Sequence, residues 1–134
     1  MRPGYLVDTD WAIHRFKGHP PIRERLDELC ERGLLALSAV SLAELYEGVY
    51  YSRDPAQSET VLKDFLRGVL LLDIDIETCQ LFGKERGRLL SQGKLIADFD
   101  LMIGVTALQH DLTLLTNNRK HFENIEGLRI ESLV

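Results

Sequence analysis

Short apolar runs alternate with helical spacing from one end of the chain to the other. Tyr5-Leu6-Val7 follows Gly4 and stops at Asp8-Thr9-Asp10, which predicts a buried strand, and helical spacing begins at Trp11-Ala12-Ile13. Pro20-Pro21 interrupts the chain before a helix from Ile22 to Arg32, with Leu26 and Leu29 inward and Gly33 as its stop. Leu34 to Leu37 predicts a second strand. From Ser41 onward Leu42, Leu45, Tyr46 and Val49 fall at i, i+3, i+4 and i+7, one face of a helix. Asp54-Pro55 opens another helix that turns Val61, Leu62, Phe65 and Leu66 inward, and Val69 to Leu72 predicts a third strand. Ile76 to Leu90 is a long amphipathic helix ending near Gly93. Asp98 to Gln109 is a helix that is apolar nearly all round, which requires burial on several sides. Leu112 to Leu115 and the weaker Leu128 to Ile130 complete the strands. This alternation predicts an α/β fold with a mostly parallel sheet, in one domain spanning residues 1–134.

The composition agrees with a folded chain. Of 134 residues, 45% are hydrophobic and 28% charged, which excludes disorder and collagen-like repetition. With 16 basic and 21 acidic residues the net charge is −5, so bulk positive charge does not hold a nucleic acid here. A few cations and a metal placed locally are still compatible with one. Cys30 and Cys79 stand far apart with no ligand-spaced cluster, the pattern of two free thiols in a reducing compartment. The first residues carry no apolar signal region, and no apolar run is long enough to span a membrane, so a cytoplasmic location is expected.

In open parallel sheets, ligands gather beyond the carboxyl ends of the strands. Asp8, Thr9 and Asp10 follow the first predicted strand, Ser41 and Glu44 the second, and Thr116, Asn117 and Asn118 the fourth. Asp98 and Asp100 open the buried helix that leads into the fourth. Carboxylates gathered at one edge repel each other unless a cation sits between them. Oxygen ligands without a cysteine or histidine partner suit Mg²⁺ or Mn²⁺ rather than zinc, and such an ion can activate water against a phosphodiester. Each acid also has a structural role open to it. Asp8 can end a strand in a turn and Asp10 can cap the first helix, the role assigned to it here. Ser41-x-x-Glu44 has the form of a capping box, which physical reasoning alone favours for Glu44. Asp98 can be an N-cap and Asp100 a first-turn acid favoured by the helix dipole. Yet Asp100 directly precedes Leu101-Met102-Ile103-Gly104-Val105, where a carboxylate is costly unless paired or bound to metal.

Four segments in order resemble the PIN-domain family, and more closely its VapC-type toxin branch. They are Leu6-Val7-Asp8-Thr9-Asp10; Leu37-Ser38-Ala39-Val40-Ser41-Leu42-Ala43-Glu44-Leu45 with Gly48; Gly93-Lys94-Leu95-Ile96-Ala97-Asp98-Phe99-Asp100-Leu101-Met102-Ile103-Gly104; and Leu114-Leu115-Thr116-Asn117-Asn118-Arg119-Lys120-His121-Phe122 followed by Gly127-Leu128. The resemblance implies a Rossmann-like three-layer α/β/α fold and a metal-dependent endoribonuclease. It implies Mg²⁺, or Mn²⁺, held by Asp8, Glu44 and Asp100, with Asp98 nearby, Asn117 or Asn118 near the attacking water, and Thr9 and Thr116 as supporting hydroxyls. Metal-activated water would leave a 5′-phosphate and a 3′-hydroxyl. A small antitoxin, a complex that binds its own promoter, and a homodimer through the apolar residues around Tyr46, Tyr50 and Tyr51 are implied as well. One departure stands out: many relatives carry a further acid just before the closing aromatic residue, where this chain offers Asn117, Asn118 and His121.

For an RNA path the sequence offers Lys84, Arg86 and Arg88 on the polar side of the long helix, Lys94 after it, and Arg119-Lys120 after the fourth strand. Arg86, Lys94 and Arg119 are the candidate phosphate contacts, against the alternative of a solvated face. His14, His19, His110 and His121 have no ligand spacing and are assigned mostly to the surface, and Trp11 to the core or an interface. Two other functions compete. One is a binding domain of the same fold that has lost its metal. The other is a phospho-receiver built on Asp8, Asp10, Asp73 and Thr116, which lacks the lysine that chemistry needs. A D-x-D phosphatase fits Asp8-Thr9-Asp10 but not Ala12.

Overall fold

The computed structural model describes residues 2–133. Its strands are β1 (Tyr5–Val7), β2 (Leu35–Ser38), β3 (Leu70–Leu72), β4 (Thr113–Leu115) and β5 (Ile130–Glu131). Its helices are α1 (Thr9–Phe16), α2 (Pro20–Glu31), α3 (Ala39–Tyr50), α4 (Pro55–Leu66), α5 (Ile76–Ser91), α6 (Asp98–Gln109) and the short α7 (Arg119–Phe122). The strands form one sheet in the order β3-β2-β1-β4-β5, every pair parallel, with Leu6 opposite Ala36 and Leu114 in the central register.

The inner strands are mainly apolar, with polar residues only at the ends of β2 (Ser38) and β4 (Thr113), because helices cover both faces of the sheet. Leu6, Ala36 and Leu114 turn to one side, where they pack with Leu89 of α5 and Leu101, Ile103 and Val105 of α6. Val7, Leu35, Leu37 and Leu115 turn to the other, against Trp11, Ile22, Leu26, Leu45, Leu62 and Phe65 of α1 to α4. The result is a three-layer α/β/α arrangement. α6 buries Leu101 and every residue from Ile103 to Ala107, as its unbroken apolarity requires. Gly33 ends the turn after α2 at φ 69°, a backbone angle that a side chain would strain.

Three local expectations give way to other geometry. β3 lies at the sheet edge and leaves Leu70 and Leu71 partly exposed, although its sequence reads like a core strand. α1 starts at Thr9, so its cap is Asp8, which accepts from Thr9 N at 2.8 Å, and not Asp10. α3 starts at Ala39, so Ser38 caps it by accepting from Ser41 N at 3.1 Å. Ser41-x-x-Glu44 is therefore not a capping box, and Glu44 is released from that role.

The sheet order also decides a question about function. Asp73 follows β3, which β2 separates from β1, so Asp73 and Asp8 leave strands that are not neighbours. A phospho-receiver has the order 2-1-3-4-5, which this sheet does not have.

Candidate active site

The order reverses between β1 and β4, and an open parallel sheet places its crevice at such a switch point. Asp8 leaves the carboxyl end of β1 and Thr116 that of β4. Thr116 Oγ1 donates to Asp8 Oδ2 at 2.7 Å, bridging the two strand ends. Asp8 is buried, and it carries this bond together with the one from Thr9 N. Burial first, and then repulsion from Asp10, push its carboxyl up to about 8.

Asp10 belongs to this cluster. Its Oδ2 accepts from Asn117 N at 3.1 Å, and its Oδ1 lies 3.4 Å from Thr116 Oγ1. The signal that would have placed it was present in the sequence, since an acid two residues past a buried strand lies in the first turn of the next helix. Glu44, in the second turn of α3, accepts from Thr9 Oγ1 at 2.7 Å, so Thr9 ties α1 to α3 across the crevice. One turn earlier on the same face, the buried Ser41 hydroxyl has no hydrogen-bond partner among the described residues. Asp100, in the first turn of α6, is half-buried. Desolvation raises its carboxyl, with a smaller push from Asp10, while His121 acts in the opposite direction. His121 Nδ1 stands 3.2 Å from Asp100 Oδ2. α7, which carries His121, was not foreseen, and nothing in the spacing of the four histidines marks this one.

Other candidates are placed elsewhere. Asp98 is the first residue of α6 without capping it; its side chain is exposed and pairs with Arg86 at 2.6 Å, outside the cluster. Arg86 also donates to Ile96 O at 2.8 Å and lies over the Phe82 ring, so it straps α5 to the loop before α6 and is not free for a phosphate. Arg119 donates to Ile130 O, and Lys94 is exposed. The Asn117 amide is tied into the protein: Oδ1 accepts from Trp11 Nε1 at 3.0 Å and Leu133 N at 2.9 Å, and Nδ2 donates to Leu133 O at 2.8 Å. It pins the buried Trp11 to the segment at Leu133. Asn118 is exposed and lends its backbone N–H to Thr116 Oγ1.

The donors suit a hard divalent cation. They are carboxyl groups and hydroxyls, and burial disfavours the ionised form of Asp8 unless a cation balances it. Among the described residues no three acid, histidine or cysteine side chains converge closely enough to hold an ion as they stand. Glu44 is turned onto Thr9 and Asp98 onto Arg86. The cluster is a set of strained acids with a matching chemistry, and an ion would have to draw Glu44 inward.

The PIN domain profile matches residues 5–128, nearly the whole chain. The chain belongs to the PIN-domain family. Within it, ribonuclease VapC2 of Haemophilus influenzae is 34% identical over 131 residues, covering 97% of this chain and 98% of that one. The tRNA(fMet)-specific endonuclease VapC of Shigella flexneri is 33% identical over 128 residues, covering 95% and 96%. Among solved structures, VapBC2 from Rickettsia felis, bound to a DNA fragment from its promoter, superposes with a TM-score of 0.90 at 30% identity over 100% of both chains. DNA-bound VapBC from Salmonella typhimurium gives 0.89 at 30% identity over 97% and 98%. This PIN domain thus shares its fold with the VapBC structures it superposes on. Among the described residues no helix is long and apolar enough to cross a membrane.

Proposed function

We propose that this PIN domain is a Mg²⁺-dependent endoribonuclease, the cytoplasmic toxin of a type II toxin–antitoxin pair, with Asp8, Glu44 and Asp100 as the metal-holding acids. The observation that carries the reading is the buried carboxylate of Asp8 at the β1–β4 switch point, raised to about 8 with Asp10 beside it and no lysine or arginine paired to either among the described residues. Such a site is poorly satisfied by the protein alone and is suited to a cation. When bound there, a divalent ion neutralises phosphate charge and activates water for in-line attack. Asp10 adds negative charge beside Asp8 and is a further candidate of this set. Thr116 and Thr9 hold Asp8 and Glu44 in place through their hydroxyls.

VapC ribonucleases of near-equal length support the assignment to RNA, and the solved VapBC complexes support an antitoxin partner and a joint complex on promoter DNA. The stacked Tyr46 and Tyr50 and the exposed Tyr51 offer an apolar surface for a second copy.

The test is induced expression of the chain beside an Asp100→Asn variant, with total RNA sequenced for new 5′ ends. Growth arrest with discrete cleavage sites that disappear in the variant is expected, and the sites would identify the RNA. Soluble folded protein that neither arrests growth nor creates new ends would replace this reading with a binding domain of the same fold.

A further inference from the structure

Asn117 holds two consecutive residues of α1. Its backbone N–H donates to Asp10 Oδ2 at 3.1 Å, and its side-chain Oδ1 accepts from Trp11 Nε1 at 3.0 Å. Trp11 is fully buried, so its indole N–H is a fixed point. On the other side, Asn117 Nδ2 donates to Leu133 O and Oδ1 accepts from Leu133 N, a two-point pairing that needs a donor and an acceptor on one short side chain. The same segment is fastened twice more: Ser132 Oγ donates to Thr116 O at 2.6 Å, and Thr116 N to Glu131 O at 3.1 Å. Arg25 in turn holds Glu131 through two bonds. The loop from Thr116 to Asn118 is thus tied to α1 and to the segment from Glu131 to Leu133.

That loop supplies the hydrogen bonds of the two central acids. Asp8 Oδ2 accepts from the Thr116 hydroxyl, and Asn118 N donates to the same hydroxyl oxygen at 3.0 Å, which directs its single proton toward the acids. Asp10 Oδ2 takes the Asn117 N–H, with Thr116 Oγ1 3.4 Å from Oδ1, and these contacts set the direction of its carboxylate.

We propose that Asn117 is a positioning residue of the acid cluster. Its side chain, locked to Trp11 and Leu133, aims its own backbone N–H at Asp10 and so orients that carboxylate beside Asp8. The proposal rests on the reading of these acids as the site of RNA cleavage, and gives that site a device built from neutral amides.

Two readouts on the full chain test it. In the isotope-labelled protein, nuclear magnetic resonance detects the bond itself as a scalar coupling between the residue-117 amide nitrogen and the Asp10 carboxyl carbon. Asn117→Ala keeps that N–H but should lose the coupling, and the N–H should exchange faster with solvent. Its kcat for RNA should fall by up to about 100-fold at unchanged KM, the scale of a misplacement of about 1 Å. Trp11→Phe, which removes one of the side-chain bonds, should fall between this variant and the wild type. Ile22→Val, a change in the fully buried part of α2, should lower the thermal midpoint yet leave the coupling and kcat as they are. In an Asp10→Ala background, Asn117→Ala should cost no further kcat, because the carboxylate it orients is gone. A coupling absent from the wild type or surviving Asn117→Ala, a kcat unchanged when the coupling is lost, or losses that add in the double variant overturns the proposal and leaves the nuclease standing. A wild type that shows the coupling but cleaves no RNA overturns the nuclease reading, and the positioning role with it.

Discussion

At the scale of single residues, the buried Asp8 carboxyl makes the largest electrostatic statement in the molecule. Its pKa lies near 8 in the folded chain, against an ordinary value of 3.8. Below the ordinary value it is protonated in both states and contributes nothing. As pH rises from about 4 toward 8, the unfolded chain ionises it freely and the folded chain does not, so folding is progressively disfavoured. Asp8→Asn keeps an effective N-cap for α1 and removes this cost. The variant should melt close to the wild type near pH 4 and increasingly above it toward pH 8, measured by thermal denaturation in chelator. A difference that shrinks as pH rises would contradict the burial argument. Asn117 makes the opposite kind of contribution. Asn117→Ala leaves the fully buried Trp11 Nε1 and both polar groups of Leu133 without their partner. A loss of about 1–3 kcal/mol is expected, read as a lower urea midpoint at unchanged slope.

At the scale of elements, the site is assembled by where helices begin. Moving the start of α3 back to Ala39 passes the capping role from Ser41 to Ser38 and frees Glu44 for Thr9. The start of α6 is set by Arg86, whose bonds to Ile96 O and Asp98 fasten the preceding loop to α5. Arg86→Gln should therefore lower the thermal midpoint and weaken divalent-ion binding through Asp100. The slope of RNA affinity against salt should stay unchanged, because no phosphate contact is removed. A slope smaller by about one would instead identify Arg86 as a direct phosphate ligand.

At the scale of the whole molecule, the candidate site lies where the strand order reverses, between β1 and β4. Folding itself gathers the acids there, at a cost in repulsion that the proposed cation would offset. Ion binding and stability must then be linked. At an ion concentration 100-fold above its Kd, the wild type should gain about 2.7 kcal/mol of stability. The double variant Asp8→Asn, Asp100→Asn should gain none, as followed by thermal melts across a Mn²⁺ or Mg²⁺ series. An equal gain in both proteins would place the ion elsewhere.

The alternation of apolar runs and helical spacing determined the fold class by itself, because strands covered on both faces are apolar throughout and α6 can be apolar all round only if it is buried. Asp8, which ends such a run, and Asp100, which precedes one, were legible for the same reason: a charge placed directly against a buried run needs an explanation; Glu44 was carried by the family resemblance alone. Motif order along the chain carried the family. Tertiary structure alone decided which polar groups meet. It brought Asp10 into the cluster, sent Asp98 out to Arg86, engaged Asn117 with Trp11 and placed His121 against Asp100. Each of these pairs is separated in sequence by 12 to 107 residues or lies across two helices, and none leaves a period in the pattern. Periodicity reports which face of an element is buried. Only the packing of elements fixes which side chains share a few ångströms of space.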